Sequence, residues 1–511
     1  MVNRRRFLLR AGVATALLGR PGFANATHQA EVTISDKPDG RVIPLDYTGL
    51  SYELSQLSEP GFFAARNHDL VAYFRLLSNN GVLRLGGNTS EFCWFRADVS
   101  TEAPKLHVPP GNLEANWMPH RLFEIVPEAI DNLGGFLEAT GWRLIYGLNF
   151  GNSTPQRAAT EAAYVARRLG KYLEYFQIGN EPDLYQKASN GTRPPGWGFD
   201  DYTGEWIGFA RAVRARVPEA RFGGPDVAAS SDWVARFGEQ EMAKMDGGLV
   251  ALTGHYYAEG PPDDPRVTTE RLLAGDARVA AQIETVEAFA EARSLHYRMT
   301  EGNSCYRGGK PGMSNAFAAA LWAGDYMLLL ASLGCVGVNV HGGDSRFLTA
   351  GLGGHTPGLD AAKQPQAMPS GFYTPIASER GGVVHAMPIF YGMMVANALA
   401  GMTMMDAKLR GGGNATAYAA TGPEGTRVAV FNKDGGRGMD LSIRTPRGMK
   451  TATAWRLCAP GLDATEGVTL AGAAVGEHGV WAPKTVEPIA VRDGAARLQV
   501  PAASAALVIL S

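Results

Sequence analysis

Cysteine is scarce: the 511 residues hold four, Cys93, Cys305, Cys335 and Cys458. So few, so widely spaced, exclude a disulfide scaffold and match no zinc or redox motif. They read as small buried apolar groups. A long hydrophobic run is missing as well. No stretch after residue 26 approaches the ~20 apolar residues that span a bilayer, so no membrane anchor is expected. Basic charge is not in excess: Lys and Arg total 48 against 50 acids, a formal net charge of −2. That leaves no basic footprint for nucleic acid. No internal repeat or low-complexity tract is visible, which sets aside solenoids and arrays.

What is present suits a globular protein. Hydrophobic residues make up 45% and charged residues 19%, too much apolar material for a disordered chain. At 511 residues the chain exceeds one ordinary core, so at least two domains are expected. The first 26 residues read apart from the rest. Arg4-Arg5-Arg6-Phe7-Leu8-Leu9 is a paired-arginine start, Ala11 to Leu18 is a small apolar run, and Ala24-Asn25-Ala26 is an A-x-A cleavage site. Together they predict a twin-arginine export signal at 1–26 and a periplasmic or secreted protein. Its removal takes away five arginines and no acid, moving the formal charge from −2 to −7.

From about residue 45 a strand-like run is followed by a helical stretch, again and again. The strand candidates are Tyr47–Glu53, Val82–Gly86, Arg143–Asn149, Glu174–Gly179, Arg221–Gly224, Leu249–Tyr257, His296–Glu301 and Val336–His341. Helical patterns lie between them, at Leu70–Asn79, Leu122–Ala139, Thr160–Leu169, Tyr202–Val217, Val279–Ala292 and Asn315–Leu333. Eight such units predict an α/β fold, a (β/α)8 TIM barrel over residues 45–382. Beyond residue 383, after one more helix at Pro388–Leu399, short strand-like runs are separated by Gly/Asp/Asn turns, as at Gly411-Gly412-Gly413-Asn414. This predicts an appended antiparallel β-sandwich. The extended segment before the barrel is assigned to it too, so that the sandwich comprises 27–44 and 383–511.

Catalytic groups of such barrels sit at the C-terminal ends of the strands. Two acids occupy such positions: Glu181, after Tyr175-Phe176-Gln177-Ile178-Gly179-Asn180, and Glu301, after Tyr297-Arg298-Met299-Thr300. They end the fourth and seventh strands, which face each other across an eight-stranded barrel. Glycoside hydrolysis requires such a pair, one carboxyl holding a proton and one ionised. Asn180 is placed to reach a sugar 2-hydroxyl. Strict alternation would turn it away from Glu181, so a bend or bulge is required there. Arg84, a charge inside the apolar run Leu83-Arg84-Leu85, calls for a carboxylate partner, and Glu301 is a candidate.

With Gly179-Asn180-Glu181-Pro182-Asp183 and the stretch from Glu301 through Tyr306 to Gly308-Gly309 in view, the chain resembles glycoside hydrolase family 79, the β-glucuronidases and heparanases. The resemblance covers residues 31 to 511. It implies a retaining glycosidase with Glu181 as acid/base and Glu301 as nucleophile, needing no metal or organic cofactor. It implies that Tyr306 and the backbone amides of Arg307 and Gly308 receive the sugar carboxylate. Tyr257 is expected to donate a hydrogen bond to Glu301, with His255 of the same parity as support. Asn88, Glu53 and His341 match positions that touch the sugar, and a structural role for Asn88 or Glu53 stands beside that reading.

The implied partner is a carbohydrate containing glucuronic acid, released from non-reducing ends and 4-O-methylated or not. Two alternatives stand beside it. One is a heparanase-like endo-β-glucuronidase, for which Lys187, Arg193, Arg346 and Lys363 are the available loop cations. The other is a catalytically inactive carbohydrate-binding protein on the same fold.

Overall fold

The computed structural model describes residues 27–511 apart from 107–120, 188–191, 246–247, 353–370, 379–383 and 447. The export-signal reading at residues 1–26 therefore lies outside the described residues, as does Lys363. Among the described residues no helix is long and apolar enough to cross a membrane.

Eight parallel strands close into a barrel: Thr48–Glu53, Val82–Gly86, Arg143–Leu148, Leu173–Ile178, Phe222–Val227, Leu249–Glu259, His296–Cys305 and Val338–Gly342. They are called barrel strands 1 to 8 below. Strand 8 pairs with strand 1 through Val338–Thr48 and Gly342–Tyr52, which closes the ring. The strands are apolar on successive residues, as in Leu144, Ile145 and Tyr146, because both faces of a barrel strand are buried. Each predicted strand is present. Strands 6 and 7 run two and four residues past their predicted ends, to Glu259 and Cys305.

The predicted helices are present with shifted ends. Pro127–Thr140, for example, starts later than the pattern suggests, because Phe123–Ile125 is a short strand pairing with Cys93–Phe95. Pro127 supplies the fixed φ of a first helical residue, and Gly141 ends the helix at φ 76°. Helices at Ser231–Met245, Thr269–Ala274 and Ser345–Gly351 were not expected. The last two are a turn or two long, too short for a periodic signal.

The second sheet is antiparallel except at one pair. His28–Val42, the N-terminal strand, runs antiparallel to Thr403–Gly411 and parallel to Met439–Arg444. It enters from the far side of the barrel sequence, so no hairpin dictates its direction. Its apolar core comprises Val32, Ile34, Val428, Val430, Leu441, Ile443, Val508 and Leu510, among others. The sheet is fastened to the barrel through helix Phe317–Leu333. Asp325 on that helix accepts hydrogen bonds from Thr416 Oγ1 at 2.6 Å and Tyr418 OH at 2.7 Å, and it pairs with the buried Lys433 ammonium. Helix Pro388–Asn397 lies against the same helix. A Cβ at Gly392 would stand 1.9 Å from the Ala320 carbonyl oxygen, so only glycine permits this approach.

Candidate active site

The barrel strands deliver their polar side chains to one mouth by breaking their own alternation. On strand 5, Pro225 sits opposite Thr253 and Val227 opposite Gly254, leaving Asp226 as an extra residue. On strand 7, Met299 sits opposite Gly254 and Glu301 opposite His255, leaving Thr300 extra. Two bulges thus flank strand 6 at one level. Each shifts the strand's parity, so Glu301 faces the mouth although Met299 and Thr300 precede it. Asp226 adopts φ +63°, and its carboxylate accepts from the Thr300 hydroxyl. The turn required near Asn180 takes another form. Strand 4 ends at Ile178, and Gly179 (φ 86°) and Glu181 (φ 52°, ψ 51°) both take left-handed conformations. That reorientation replaces strand alternation and aims both side chains at the mouth.

Glu301 is held as an anion. Its side chain is buried, and Arg84 Nη1 donates to Oε2 at 2.6 Å while the Tyr257 hydroxyl donates to Oε1 at 2.8 Å. His341 Nδ1 lies 3.6 Å from Oε2. Burial alone would push this carboxyl upward. The charges of His341, His255 and Arg84, with the Tyr257 hydrogen bond, outweigh it and hold the group at about 2. Arg84 is 1% exposed and spends every nitrogen. Nε donates to Gln177 at 3.0 Å, Nη1 also to Ser51 at 3.0 Å, and Nη2 to Asn180 Oδ1 at 2.7 Å and to Asp226.

Glu181 is held differently. Burial raises it above the ordinary carboxylate range; His255 pulls it back, and the nearby Glu301 and Asp183 push it up again. His255 Nδ1 lies 3.0 Å from Glu181 Oε1, and its Nε2 lies 3.2 Å from Asp226 Oδ1. The second contact is an ion pair between buried groups. Burial would lower the imidazole, but Asp226, Glu301 and Glu181 raise it to about 10. Single atoms of Glu181, His255 and Glu301 all lie within 4.8 Å of one another. That spacing would suit a metal ion, and it equally suits a histidine paired with the Glu181 carboxyl.

The other predicted residues divide. Tyr257 and His255 face the mouth, and Arg84 meets Glu301. Asn180 is buried against Arg84 and donates to Asn88 Oδ1 at 3.3 Å. Asn88 in turn donates to the Gly351 carbonyl at 3.1 Å. Glu53 is turned toward the protein: its carboxylate accepts from the Thr89 N–H at 2.8 Å and the Thr89 hydroxyl at 2.6 Å. His341 bridges Ser51 at 3.0 Å and stands 3.7 Å from Glu53. Tyr306 is half-buried with its ring edge-on to Tyr257 at 6.4 Å. Arg307, Gly308 and Gly309 follow with φ of 60°, 85° and 87°. Three successive left-handed residues curl the backbone tightly beside Tyr306. The Arg307 guanidinium lies 5.7 Å from the Tyr306 ring centre.

Three functional neighbours escaped sequence reading. Asp226 follows Gly224-Pro225, which reads as a turn. Glu91 is buried and accepts from the Phe150 N–H at 2.9 Å, the Asn180 N–H at 2.8 Å and the Gly151 N–H, tying together the ends of strands 2, 3 and 4. Tyr373, from the segment after strand 8, packs on Tyr257 and His341. A second acid in the motif, Asp183, turns out to be structural, since its carboxylate caps the N–H groups of Ala228, Ala229 and Ser230.

Fold and site together define a class: a (β/α)8 barrel carrying two unlike carboxyls across its mouth, with a β-sandwich appended. Residues 417–507 match the model of the glycosyl hydrolase family 79 C-terminal beta domain. A beta-glucuronidase of Aspergillus niger is 25% identical over 341 residues, 60% of this chain and 60% of that protein. A heparanase of Gallus gallus is 24% identical over 346 residues, 58% of this chain and 63% of that one. The chain thus aligns with about 60% of the length of the curated relatives it matches. Among solved structures, a 4-O-alpha-L-rhamnosyl-beta-D-glucuronidase of Fusarium oxysporum superposes with a TM-score of 0.70 at 18% identity, covering 94% of this chain and 100% of that one. An arabinofuranosidase of Xanthomonas axonopodis pv. citri gives 0.63 at 16% identity, covering 95% and 100%. At such identities these two speak to the fold alone. The matched C-terminal segment is thus of the glycosyl hydrolase family 79 type, and over about 60% of its length the chain is similar to beta-glucuronidases and a heparanase.

Proposed function

We propose that the protein is a retaining β-glucuronidase that releases β-linked glucuronic acid, 4-O-methylated or not, from non-reducing ends. One observation carries this reading: two carboxyls with oxygens within 4.8 Å of each other are pushed in opposite directions, Glu301 down to about 2 and Glu181 up. Retaining enzymes hold their carboxyls about 5–5.5 Å apart, whereas inverting ones leave about 6.5–9.5 Å for a water molecule.

The chemistry follows from those states. Glu301, ionised and oriented by Arg84 and Tyr257, attacks the anomeric carbon. Glu181 gives its proton to the departing glycosidic oxygen as the bond to the aglycone breaks. The product of this half is a glycosyl ester on Glu301. Glu181, now a carboxylate, takes a proton from water, whose oxygen attacks the same carbon and releases Glu301. Two inversions give retention. The curled backbone at 306–309 offers hydrogen-bond donors to the sugar carboxylate: the Tyr306 hydroxyl and successive N–H groups.

The relatives named beta-glucuronidase support the substrate class, and the heparanase relative keeps an endo cut in view. Two of the loop cations are already neutralised. Arg193 pairs with Glu205 at 2.8 Å, and Arg346 pairs with Glu59 and Asp344. This argues against a polyanionic polymer as substrate. Export by the twin-arginine route is proposed on the arginine pair and cleavage site at the N-terminus.

The test is proton NMR of the first-formed sugar from an aryl β-glucuronide, alongside β-glucoside, β-xyloside and α-arabinofuranoside aryl substrates. Release of β-configured glucuronic acid is expected. An initial α-product would sink the retaining mechanism, and turnover of only the neutral sugars would sink the substrate. Internal cuts in heparan sulfate would move the assignment to the endo reading. A mechanism-based β-glucuronide inhibitor should label Glu301, and absence of both label and turnover would leave a carbohydrate-binding protein.

A further inference from the structure

We infer that Asp226 is a positioning residue whose charge keeps His255 protonated and oriented between Glu181 and Glu301, and thereby sets the pH range of the acid/base carboxyl. The inference rests on the glycosidase reading of those two glutamates. No recognisable motif marks Asp226; its assignment comes from where the bulge on strand 5 sends it.

The first argument is geometric. Asp226 is 1% exposed and sits beneath the mouth at a bulge, in a left-handed conformation unusual for a residue other than glycine. Its two oxygens collect the Arg84 guanidinium, the Gln177 amide at 2.6 Å, the Thr300 hydroxyl and the His255 ring at 3.2 Å. Strands 2, 4, 6 and 7 therefore all converge on it. Buried as it is, it acts through His255 and Arg84, which reach Glu181 and Glu301 respectively.

The second argument is charge balance. The groups facing His255 are Glu181 after strand 4, Asp226 on strand 5 and Glu301 on strand 7, with Arg84 of strand 2 behind Asp226 and His341 of strand 8 beside Glu301. With Glu181 protonated, the cations Arg84 and His255 balance the anions Asp226 and Glu301, while His341 has Glu53 as a second carboxylate neighbour at 3.7 Å and stands outside that set. Removing one anion from this buried set leaves a surplus positive charge in a medium that tolerates it poorly. The surplus is relieved where a proton is held least firmly, which is on His255, since Arg84 does not ionise to neutrality. A neutral His255 no longer favours the carboxylate form of Glu181, so Glu181 rises further. The first half-reaction, needing Glu181 as an acid, then persists to higher pH. The second, needing it as a carboxylate, is starved at low pH.

The experiment uses Asp226→Asn in the full chain. Nitrogen-15 NMR of the imidazole assigned to His255 (by its loss in His255→Gln) should show a protonated ring at pH 8 in the parent protein and a neutral ring in the variant. With an activated aryl β-glucuronide, the alkaline limb of kcat/KM should move upward by about one pH unit, and kcat at pH 5 should fall about tenfold and recover on raising pH, one unit being tenfold in protonation. His255→Gln should move the alkaline limb in the same direction, which keeps the idea testable if Asp226→Asn does not fold. Asp226→Glu should restore the protonated ring. A ring that is already neutral at pH 7 in the parent, or a limb that stays put while the rate falls at all pH values, overturns the inference. The NMR readout needs no turnover, so it stands or falls apart from the choice of substrate.

Discussion

The interior of the sandwich and the floor of the barrel mouth are both buried, but they are built by opposite means. In the sandwich the strands keep a period of two. Met439–Arg444 buries Met439, Leu441 and Ile443 and turns the residues between them outward, and the buried set is apolar. At the mouth the period is broken twice, at Asp226 and Thr300, and the buried set is charged: Arg84, Asp226, His255 and Glu301 are each 5% exposed or less. Apolar burial stabilises at about 25 cal/mol per Å² of surface removed from water. Buried charges cost free energy and break even only when fully paired. The difference teaches where each region's sequence is spent, one on holding the fold and one on holding protonation states. Substitutions should therefore separate: those in the mouth should act on rate, and those at the sheet on stability.

The sharpest break is Glu301→Gln. Losing the nucleophile should cut kcat/KM for an aryl β-glucuronide at least about 10⁴-fold, more than ~5 kcal/mol of barrier, while circular dichroism at 25 °C stays unchanged. A residual rate within tenfold of the parent would undo the assignment. Glu181→Gln comes next. Removing general acid catalysis should slow poor leaving groups about 10²–10⁴-fold. Leaving groups that depart without a proton should react nearly normally in the first half-reaction, seen as a burst, with azide then releasing the sugar in place of water. An equal loss across leaving groups would show that Glu181 only binds.

At the junction of the two regions the comparison predicts the reverse. Asp325→Ala leaves the buried Lys433 ammonium without its counter-charge and strips Tyr418 and Thr416 of their acceptor. Breaking such a pair from one side destabilises by about 3–5 kcal/mol, to be read from denaturant unfolding. The kcat of the folded fraction should match the parent. A kcat that drops in step with stability would mean that the two regions are energetically one.

The same contrast explains what the sequence disclosed. The sandwich was legible because its strands alternate and its turns carry Gly, Asp and Asn. The barrel was legible because apolar runs of five or six residues recur between helices. Glu181 and Glu301 were legible because they close apolar strand-like runs, although strand 7 itself continues to Cys305, and Arg84 because a charge in an apolar run demands a partner. Asp226 was not, because the predicted strand stops at Gly224 and Gly-Pro announces a turn. A bulge adds one residue and leaves no trace in composition, so the parity of everything after it is lost. Glu53 is a case the sequence left open between a sugar contact and a structural role: it ends strand 1, and its Oε2 accepts from the Thr89 N–H and hydroxyl.

Tyr257→Phe tests the comparison at its finest grain, since it removes one oxygen from the mouth and nothing from the core. The hydroxyl donates to Glu301 Oε1 at 2.8 Å and is among the contacts that keep that carboxyl ionised at about 2. A hydrogen bond to a charged group contributes about 1.5–3 kcal/mol, so kcat/KM should fall roughly tenfold to a hundredfold. The direction on pH is fixed by which form the bond favours. It stabilises the carboxylate, so its loss raises the Glu301 value, and the acidic limb of kcat/KM moves toward neutral pH. The alkaline limb, which belongs to Glu181, should stay where it was. Melting temperature should barely change, because the ring that packs against Tyr373 and Tyr306 remains. If the acidic limb stays fixed while the protein loses stability, Tyr257 is a packing residue that happens to touch Glu301, and the mouth is less cleanly divided from the core than its geometry implies.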